Sequence, residues 1–288
     1  MGTELLWISI ALMIISLLLY KEKKIFEVFC GAAWLLFGVY WLSLIPHYYE
    51  ISDYTNIFLV ILLFLFCLIL AIFIGHAFKD KSRETNPESP RSAALEKKVQ
   101  LFFDVTKLVA VVCLIYMPFK MIEPVNHFLI DMVAVQTTFL LNLFGYDAVQ
   151  TAYNTISYNG ISVTIILACT AIESIAFFAG LVLSVRTKNT KNKVLAFLLT
   201  VPMIYVLNLF RNVFVVAAYG DMWFGADSFL IAHHYIAKAG SAIALIVLAY
   251  ITLKLLPEVM DMTLGLWDLV ADEIRRILKM GKKEKAGE

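Results

Sequence analysis

The stretch 162–185 reads SVTIILACTAIESIAFFAGLVLSV, and the rest of the chain is interpreted from it. It is apolar and long enough for an α-helix to cross a bilayer, which takes about 20 residues. It nevertheless contains a thiol, Cys169, and a carboxylate, Glu173, which share one face if the stretch is a single helix. Ionisable groups inside a membrane are costly and are by default a functional-site hypothesis. The stretch therefore predicts a membrane helix that carries part of a site.

The composition extends the membrane prediction to the whole chain. Of its 288 residues, 61% are hydrophobic and only 16% are charged, which is not the composition of a soluble domain. Because alternating short strands are absent, a membrane β-barrel is excluded, and we expect an all-α polytopic membrane protein with about seven transmembrane helices. The expected spans are 5–20, 25–45, 56–78, 101–119, 162–185, 194–218 and 228–256.

The distribution of Lys and Arg orients these spans. The segments rich in Lys and Arg are expected in the cytoplasm, whereas the intervening loops contain neither residue and are expected outside; the basic segments are 21–24, 79–98, 186–193 and 275–285, and the loops are 46–55, 146–161 and 219–227. The N-terminus is then outside and the C-terminus inside. The basic segments 79–98 and 186–193 are both expected in the cytoplasm, and the spans 101–119 and 162–185 between them already supply two crossings. The weaker apolar segment 124–145 is therefore predicted to be a re-entrant or interfacial helix at the outer face.

Two polar segments divide the chain. The segment 79–98 contains Pro, Ser and many charges and predicts a cytoplasmic linker after the first spans. Pro257 ends the last span, and 258–279 has the pattern of an amphipathic interfacial helix. We therefore expect N-terminal spans in 1–100, a catalytic core in 101–256 and a cytoplasmic tail in 257–288.

Polar residues from three different spans reach a similar depth in this topology. Cys169 lies about 10 Å below the outer end of its span at 1.5 Å per residue, and Arg211 and the pair His233-His234 lie comparably deep in theirs. A thiolate is a strong nucleophile, an imidazole can carry a proton, and a guanidinium can stabilise an oxyanion. Together they predict acyl transfer through a thioester, at a site in the cell membrane that faces the outside.

Further polar residues are expected to support this site. They are Glu173, Tyr205, Asn208, Asp227 and Lys238, and Glu173 is expected to pair with Lys238, Arg211 or a histidine. Each polar residue also has a plainer explanation, such as snorkelling of Arg211 or packing of a histidine. A transporter whose polar residues line a pathway, or a non-catalytic scaffold, is therefore the alternative to an enzyme.

Metal and nucleic-acid functions find no support in the sequence. The remaining cysteines stand in separate apolar segments without CxxC spacing, which indicates neither a zinc site nor a disulfide framework; they are Cys30, Cys67 and Cys113. No basic patch interleaved with aromatic residues indicates a nucleic-acid partner.

Three short segments resemble the exosortase/archaeosortase family, and the section 160–256 is most similar to its archaeosortase branch. The segments are ACTAIES at 168–174, NLFRNVF at 208–214 and AHHYIAKAG at 232–240. The resemblance implies a membrane cysteine transpeptidase that needs no cofactor. It implies Cys169 as the nucleophile, Arg211 as the stabiliser of an oxyanion or substrate carboxylate, and His233 or His234 as the acid/base.

The resemblance also implies partners. Substrates would be membrane-anchored surface proteins, such as S-layer glycoproteins, with a C-terminal signal made of a short motif, a transmembrane helix and a basic tail. In the archaeosortase branch the motif is Pro-Gly-Phe. The signal would be removed and the new C-terminus transferred to a phospholipid, expected to be an ethanolamine-type ether lipid. A bacterial-type exosortase acting on another signal is the alternative within the family.

Overall fold

The computed structural model describes residues 2–83 and 89–285, and the chain is mostly helical. Its helices are α1 (Gly2–Leu18), α2 (Lys23–Leu42), α3 (Ile45–Glu50), α4 (Tyr54–Arg83), α5 (Pro90–Met121), α6 (Glu123–Leu143), α7 (Ile172–Ser184), α8 (Thr190–Gly220), α9 (Lys238–Leu255) and α10 (Glu258–Lys285). Two compact units emerge from the contacts, one formed by residues up to 110 together with those from 260 onward, the other by 111–259.

Several of these helices are long and apolar enough to cross a bilayer. Five described segments meet that condition, and two shorter apolar helices, Glu4–Leu18 and Ile172–Ser184, accompany them. The five are Lys24–Glu50, Tyr54–Ser82, Pro90–Met121, Thr190–Gly220 and Leu230–Leu255. These helices support a multi-pass membrane protein, as the composition predicts.

The first unit is held by aromatic packing and by ion pairs at one end. Trp34 is buried and donates from its indole N–H to the hydroxyl of Thr106, at 3.0 Å. Helix α10 pairs with α4 and α5 through charged groups: Arg276 makes two hydrogen bonds to Asp80, at 2.7 and 3.0 Å, and Lys98 makes one to Asp272. The predicted amphipathic helix after Pro257 is thus present.

The prediction of a linker over 79–98 is wrong for most of its residues. Helix α4 continues to Arg83 and α5 begins at Pro90, so the two ends of the segment are helical. Pro90 stands at the first position of α5, where its missing N–H costs nothing. The predicted mobile linker also includes 84–88, which lie outside the described residues.

The prediction of one helix over 162–185 is also wrong. Its first three residues belong to strand β3 (Ile161–Thr164), which follows β1 (Val149–Ala152) and β2 (Thr155–Tyr158) in a three-stranded antiparallel sheet. The strand is followed by a 3₁₀ turn, Leu167–Thr170, and only then by the 13-residue helix α7. Alternating β-branched residues favour the strand, and a tight Asn159-Gly160 turn, with φ of 50° and 81°, closes the hairpin.

Helix α6 covers most of the segment 124–145, ending at Leu143, and supports the sheet. It starts after Ile122, which has extended backbone angles, with a proline in its first turn. Asp131 accepts a hydrogen bond from Gln150, and Asn142 exchanges two hydrogen bonds with the backbone of Ala148. Two of the polar residues that weaken the apolar pattern of this helix therefore bind the sheet. The placement of α6 at the outer interface stays a prediction.

The turn between β2 and β3 is hydrogen-bonded to the C-terminal end of α8. Tyr158 donates a hydrogen bond from its hydroxyl to Asp221, at 2.7 Å, and Asn159 donates to the carbonyl of Gly220. The bond to Asp221 raises the pKa of Tyr158 to about 12, so the phenol stays protonated and can donate throughout the physiological range. These contacts fix β3, and hence the turn after it, against α8.

Candidate active site

Cys169 lies in a tight turn between a strand and a helix. Its own N–H donates to the carbonyl of Ile166, and the hydroxyl of Thr170 donates to the carbonyl of Leu167, at 2.8 and 2.7 Å. Ala171 then takes a left-handed conformation, with φ of 58°, and α7 begins at the next residue. Cys169 and Glu173 therefore do not share a continuous helix face, because Ala171 breaks the helix between them.

Two buried asparagines of α8 hold this turn. Asn208 and Asn212 both donate side-chain hydrogen bonds to the carbonyl oxygen of Cys169, at 2.7 and 3.0 Å. They are four residues apart and so lie on the same side of α8, with 7% and 5% of their surface exposed. The backbone of Cys169 is thus fixed to the helix that carries Arg211.

Arg211 faces a cavity that begins beside the Cys169 turn. The cavity has a volume of about 650 Å³ and is lined by Arg211 and Asn208, by Ala168 inside the turn and by Ala171 directly after it, whereas Cys169 itself is not among the lining residues. The Nε of Arg211 is buried and has no hydrogen-bond partner among the described residues. The predicted nucleophile turn and the predicted cation therefore meet at one cavity.

His233 lies in a π-helix, Leu230–Ala237, that precedes α9. Short π-helical segments often occur at functional sites. The ring of His233 is half-buried and stacks on Phe229 with a centroid distance of 5.1 Å, and its Nδ1 is buried without a partner in the described part of the chain. Arg211 and Lys238 are near enough to act on it electrostatically. His234 is exposed, which favours His233 as the histidine of the site.

The other predicted residues have diverse surroundings. Lys238 lines the cavity, and Tyr205 donates to Gln136 of α6 at 2.7 Å. Glu173 accepts a hydrogen bond from the hydroxyl of Tyr116, at 2.7 Å, and forms no ion pair with a described side chain. The expected pairing of Glu173 with Lys238, Arg211 or a histidine is therefore wrong. Asp227 is exposed in the 3₁₀ turn Gly225–Asp227.

Sequence analysis missed Asn212 and Tyr116. Asn212 stands four residues after Asn208, and this helical spacing of two amides around an arginine was the signal that could have found it. Tyr116 gave no signal, since a tyrosine in an apolar span is common at membrane interfaces. Its link to Glu173 depends on the tertiary structure.

The four cysteines differ in exposure. Cys169 is partly exposed, whereas the other three, Cys30, Cys67 and Cys113, are buried, and none forms a disulfide. Among the described residues no group of three or more His, Cys, Asp or Glu side chains could hold a metal ion. The partly exposed thiol is therefore the one available to a substrate.

Comparison with known proteins identifies the family of this chain. The family model for transmembrane exosortase (Exosortase_EpsH) matches residues 5–253. Archaeosortase A of Haloferax volcanii is 26% identical over 275 residues, which cover 83% of this chain and 84% of that protein. Archaeosortase A of Natronomonas pharaonis is 24% identical over 274 residues, 85% and 80% of the two chains. No solved structure matches significantly. Since the family model covers most of its length, the chain belongs to the transmembrane exosortase family.

Proposed function

We propose that this protein is a membrane cysteine transpeptidase that cleaves a C-terminal sorting signal from surface proteins and transfers the new C-terminus to a membrane lipid. The observation that carries the proposal is the meeting of the Cys169 turn and Arg211 at one cavity. Membership of the exosortase family and the similarity to two archaeosortases support a processing enzyme. The proposed sorting signal is of the Pro-Gly-Phe type, with a transmembrane helix and a basic tail, because the two relatives are archaeosortases.

The reaction divides into two balanced steps. In the first, the Cys169 thiolate attacks the scissile carbonyl carbon, the C–N bond breaks, and the leaving amine takes a proton from His233. In the second, an amine of the acceptor lipid attacks the thioester, the C–S bond breaks, and His233 takes the proton of the amine. Arg211 stabilises the oxyanion in both steps. The positive end of α7 is a suitable neighbour for the thiolate that is released.

The supporting residues act by position. Asn208 and Asn212 hold the turn, and Lys238 contributes positive charge to the cavity. Tyr205 and Glu173 tie their helices to α6 and α5. We assign catalysis to 101–256, with α10 in the cytoplasm and the cavity opening toward the outside. The acceptor is proposed to be an ethanolamine-type phospholipid, and the substrates surface proteins such as S-layer glycoproteins.

Substrate processing by point variants tests this function. A reporter protein that ends in Pro-Gly-Phe, a transmembrane helix and a basic tail is co-expressed with each variant and analysed by mass. We expect Cys169→Ala, Arg211→Ala and His233→Gln to leave the reporter uncleaved. His234→Gln should process it, and Cys113→Ala is the matched thiol control because Cys113 is buried.

Two outcomes decide against parts of the proposal. Normal processing by Cys169→Ala would exclude the thioester route. Normal processing by His233→Gln together with loss in His234→Gln would move the acid/base role to His234. A second reporter with the Pro-Gly-Phe motif replaced by Ala-Ala-Ala distinguishes the archaeosortase-type signal from another signal.

A further inference from the structure

The cavity carries two cations and no counter-charge. Arg211 comes from α8 and Lys238 from the first residue of α9, and no acidic residue is among those that line the cavity. Neither cation forms an ion pair with any side chain that the structure describes. Lys238 is exposed and Arg211 is half-buried, with a buried Nε that has no partner among the described residues. Two like charges at one cavity repel each other, and a bound anion relieves that repulsion. The electrostatics of the cavity therefore call for an anionic ligand.

Most of the remaining lining residues are apolar, and most belong to two candidate membrane spans. Long and small apolar residues line the cavity as an apolar groove; they are Leu207, Phe210, Leu245, Leu248, Ala237 and Gly240. All lie in the candidate spans Thr190–Gly220 and Leu230–Leu255. The ligand that matches this surface has an anionic head beside the two cations and a hydrocarbon body.

We propose that Lys238 and Arg211 form a phosphodiester-binding subsite that holds the headgroup of a phospholipid, with its hydrocarbon chains along the apolar groove. A guanidinium binds phosphate oxygens in a fork, and an ammonium adds a compact point charge. The buried, unpartnered Nε of Arg211 provides a further donor.

The subsite places the headgroup beside the reactive residues. Arg211 and Lys238 both lie near enough to His233 to act on it electrostatically, and Ala168, inside the Cys169 turn, and Ala171, directly after it, line the same cavity. A lipid bound there has its polar head next to the thioester. The role of this lipid as acceptor depends on the proposed function, whereas its binding does not.

Native mass spectrometry of the full chain tests the binding without catalysis. The Cys169→Ala protein is titrated in detergent with phosphatidylethanolamine, with phosphatidylglycerol and with diacylglycerol of the same acyl chains. Both phospholipids should bind, and diacylglycerol should bind at least tenfold more weakly, because the charge-assisted hydrogen bonds are lost. Adding Lys238→Gln should weaken phospholipid binding by roughly tenfold, and Lys238→Arg should preserve it.

The matched control is Lys254→Gln, since Lys254 is an exposed lysine of the same helix that does not line the cavity. It should leave binding unchanged. Equal binding of diacylglycerol, or equal binding by Lys238→Gln, overturns the subsite. Displacement of the phospholipid by millimolar inorganic phosphate would show that the site recognises a free anion and overturns the lipid assignment. If the phospholipid binds but Cys169→Ala still processes substrate, the subsite stands and only the proposed function fails.

Discussion

The carbonyl oxygen of Cys169 has two donors, and this explains how a short turn can hold a nucleophile. A turn between a strand and a helix lacks the repeated backbone hydrogen bonds of either element. Asn208 and Asn212 supply two side-chain bonds to that oxygen from within a long, well-packed helix. We infer that these amides position the thiol and take no part in the bond changes.

Removal of these amides should loosen the turn while the chain still folds. Each of Asn208→Ala and Asn212→Ala loses one buried hydrogen bond, worth about 1 kcal/mol, and the double variant leaves a carbonyl without a partner, worth about 1–3 kcal/mol. We expect faster alkylation of Cys169 by iodoacetamide, most of all in the double variant, together with slower processing. The buried Cys30, Cys67 and Cys113 leave Cys169 as the reporter thiol.

The control for this experiment is Asn142→Ala. Asn142 also makes hydrogen bonds from its side chain to the backbone, but to Ala148 of the sheet connection. It should lower the melting temperature and leave the alkylation rate of Cys169 unchanged. An unchanged alkylation rate in the Asn208/Asn212 double variant would refute the positioning role.

Ala171 stores backbone strain next to the proposed nucleophile. A residue other than glycine in the left-handed region costs about 1–2 kcal/mol, and Ala171 has φ of 58° and ψ of 13°. Ala171→Gly removes this strain but adds entropy to the unfolded chain, so its melting temperature should stay close to that of the parent. Ala171→Val should lower the stability by about 1–3 kcal/mol, because a β-branched residue is a strong outlier there.

Thermal unfolding in detergent measures both changes, and Ala168 provides the matched position. Ala168 lines the same cavity, but its φ is not positive. Ala168→Val should therefore destabilise the protein less than Ala171→Val. Equal losses at the two positions would mean that crowding of the cavity, and not backbone strain, sets the cost.

At the scale of the elements, the hairpin packs against the end of α8 through a close contact between Tyr158 and Gly220. A Cβ at Gly220 would overlap the ring of Tyr158, and the hydroxyl of that ring bonds Asp221. Gly220→Ala must therefore displace Tyr158 and break this hydrogen bond. We expect a loss of about 1–3 kcal/mol, typical of overpacking, and a lower melting temperature.

A double-mutant cycle separates this clash from other effects of the substitution. In a Tyr158→Ala background, Gly220→Ala should cost much less, because the ring is gone. Gly75→Ala is the control, since a Cβ there meets nothing within 4 Å and alanine favours the helix. If Gly220→Ala costs the same in both backgrounds, the contact with Tyr158 is not the cause.

Hydropathy predicted the long helices but not the elements around the site. Helices α4 and α8 agree with spans 56–78 and 194–218 because each is a long apolar run. The stretch 162–185 is equally apolar, and a window average cannot separate a β-branched strand, a turn and a short helix. The pair Asn159-Gly160 marked the hairpin turn, but its strands are only four residues long.

The residues of the candidate site likewise divide into those that the sequence predicted and those that it did not. Cys169, Arg211 and the pair His233-His234 could be selected from the sequence, without a choice between the two histidines, because a thiol, a guanidinium and an imidazole are rare in apolar spans. Their supports could not, since Asn212 and Tyr116 acquire their roles from contacts between distant segments. The continuous helix through Cys169 and Glu173 failed for a local reason, the left-handed Ala171.

For the whole molecule, the distribution of Lys and Arg predicts which side of the membrane the site faces. The segment 79–98, which includes the end of α4 and the start of α5, is basic, and so is 186–193 between α7 and the start of α8, whereas the sheet between α6 and α7 contains no Lys or Arg. By the positive-inside rule, we expect both basic segments in the cytoplasm and the sheet outside. Between the two basic segments the chain would then cross the membrane an even number of times, so we predict that α5 and α7 cross and α6 does not.

Labelling of single cysteines by a membrane-impermeant maleimide on intact cells tests this topology. In a Cys169→Ala background, Ala152→Cys should react without permeabilisation, whereas Glu96→Cys and Lys188→Cys should react only after it. All three positions are exposed, so a lack of reaction reports the side of the membrane and not burial. Reaction of 188 from outside, with 152 and 96 protected, would mean that α6 crosses fully. The cavity would then open to the cytoplasm, where no surface-protein substrate could reach Cys169.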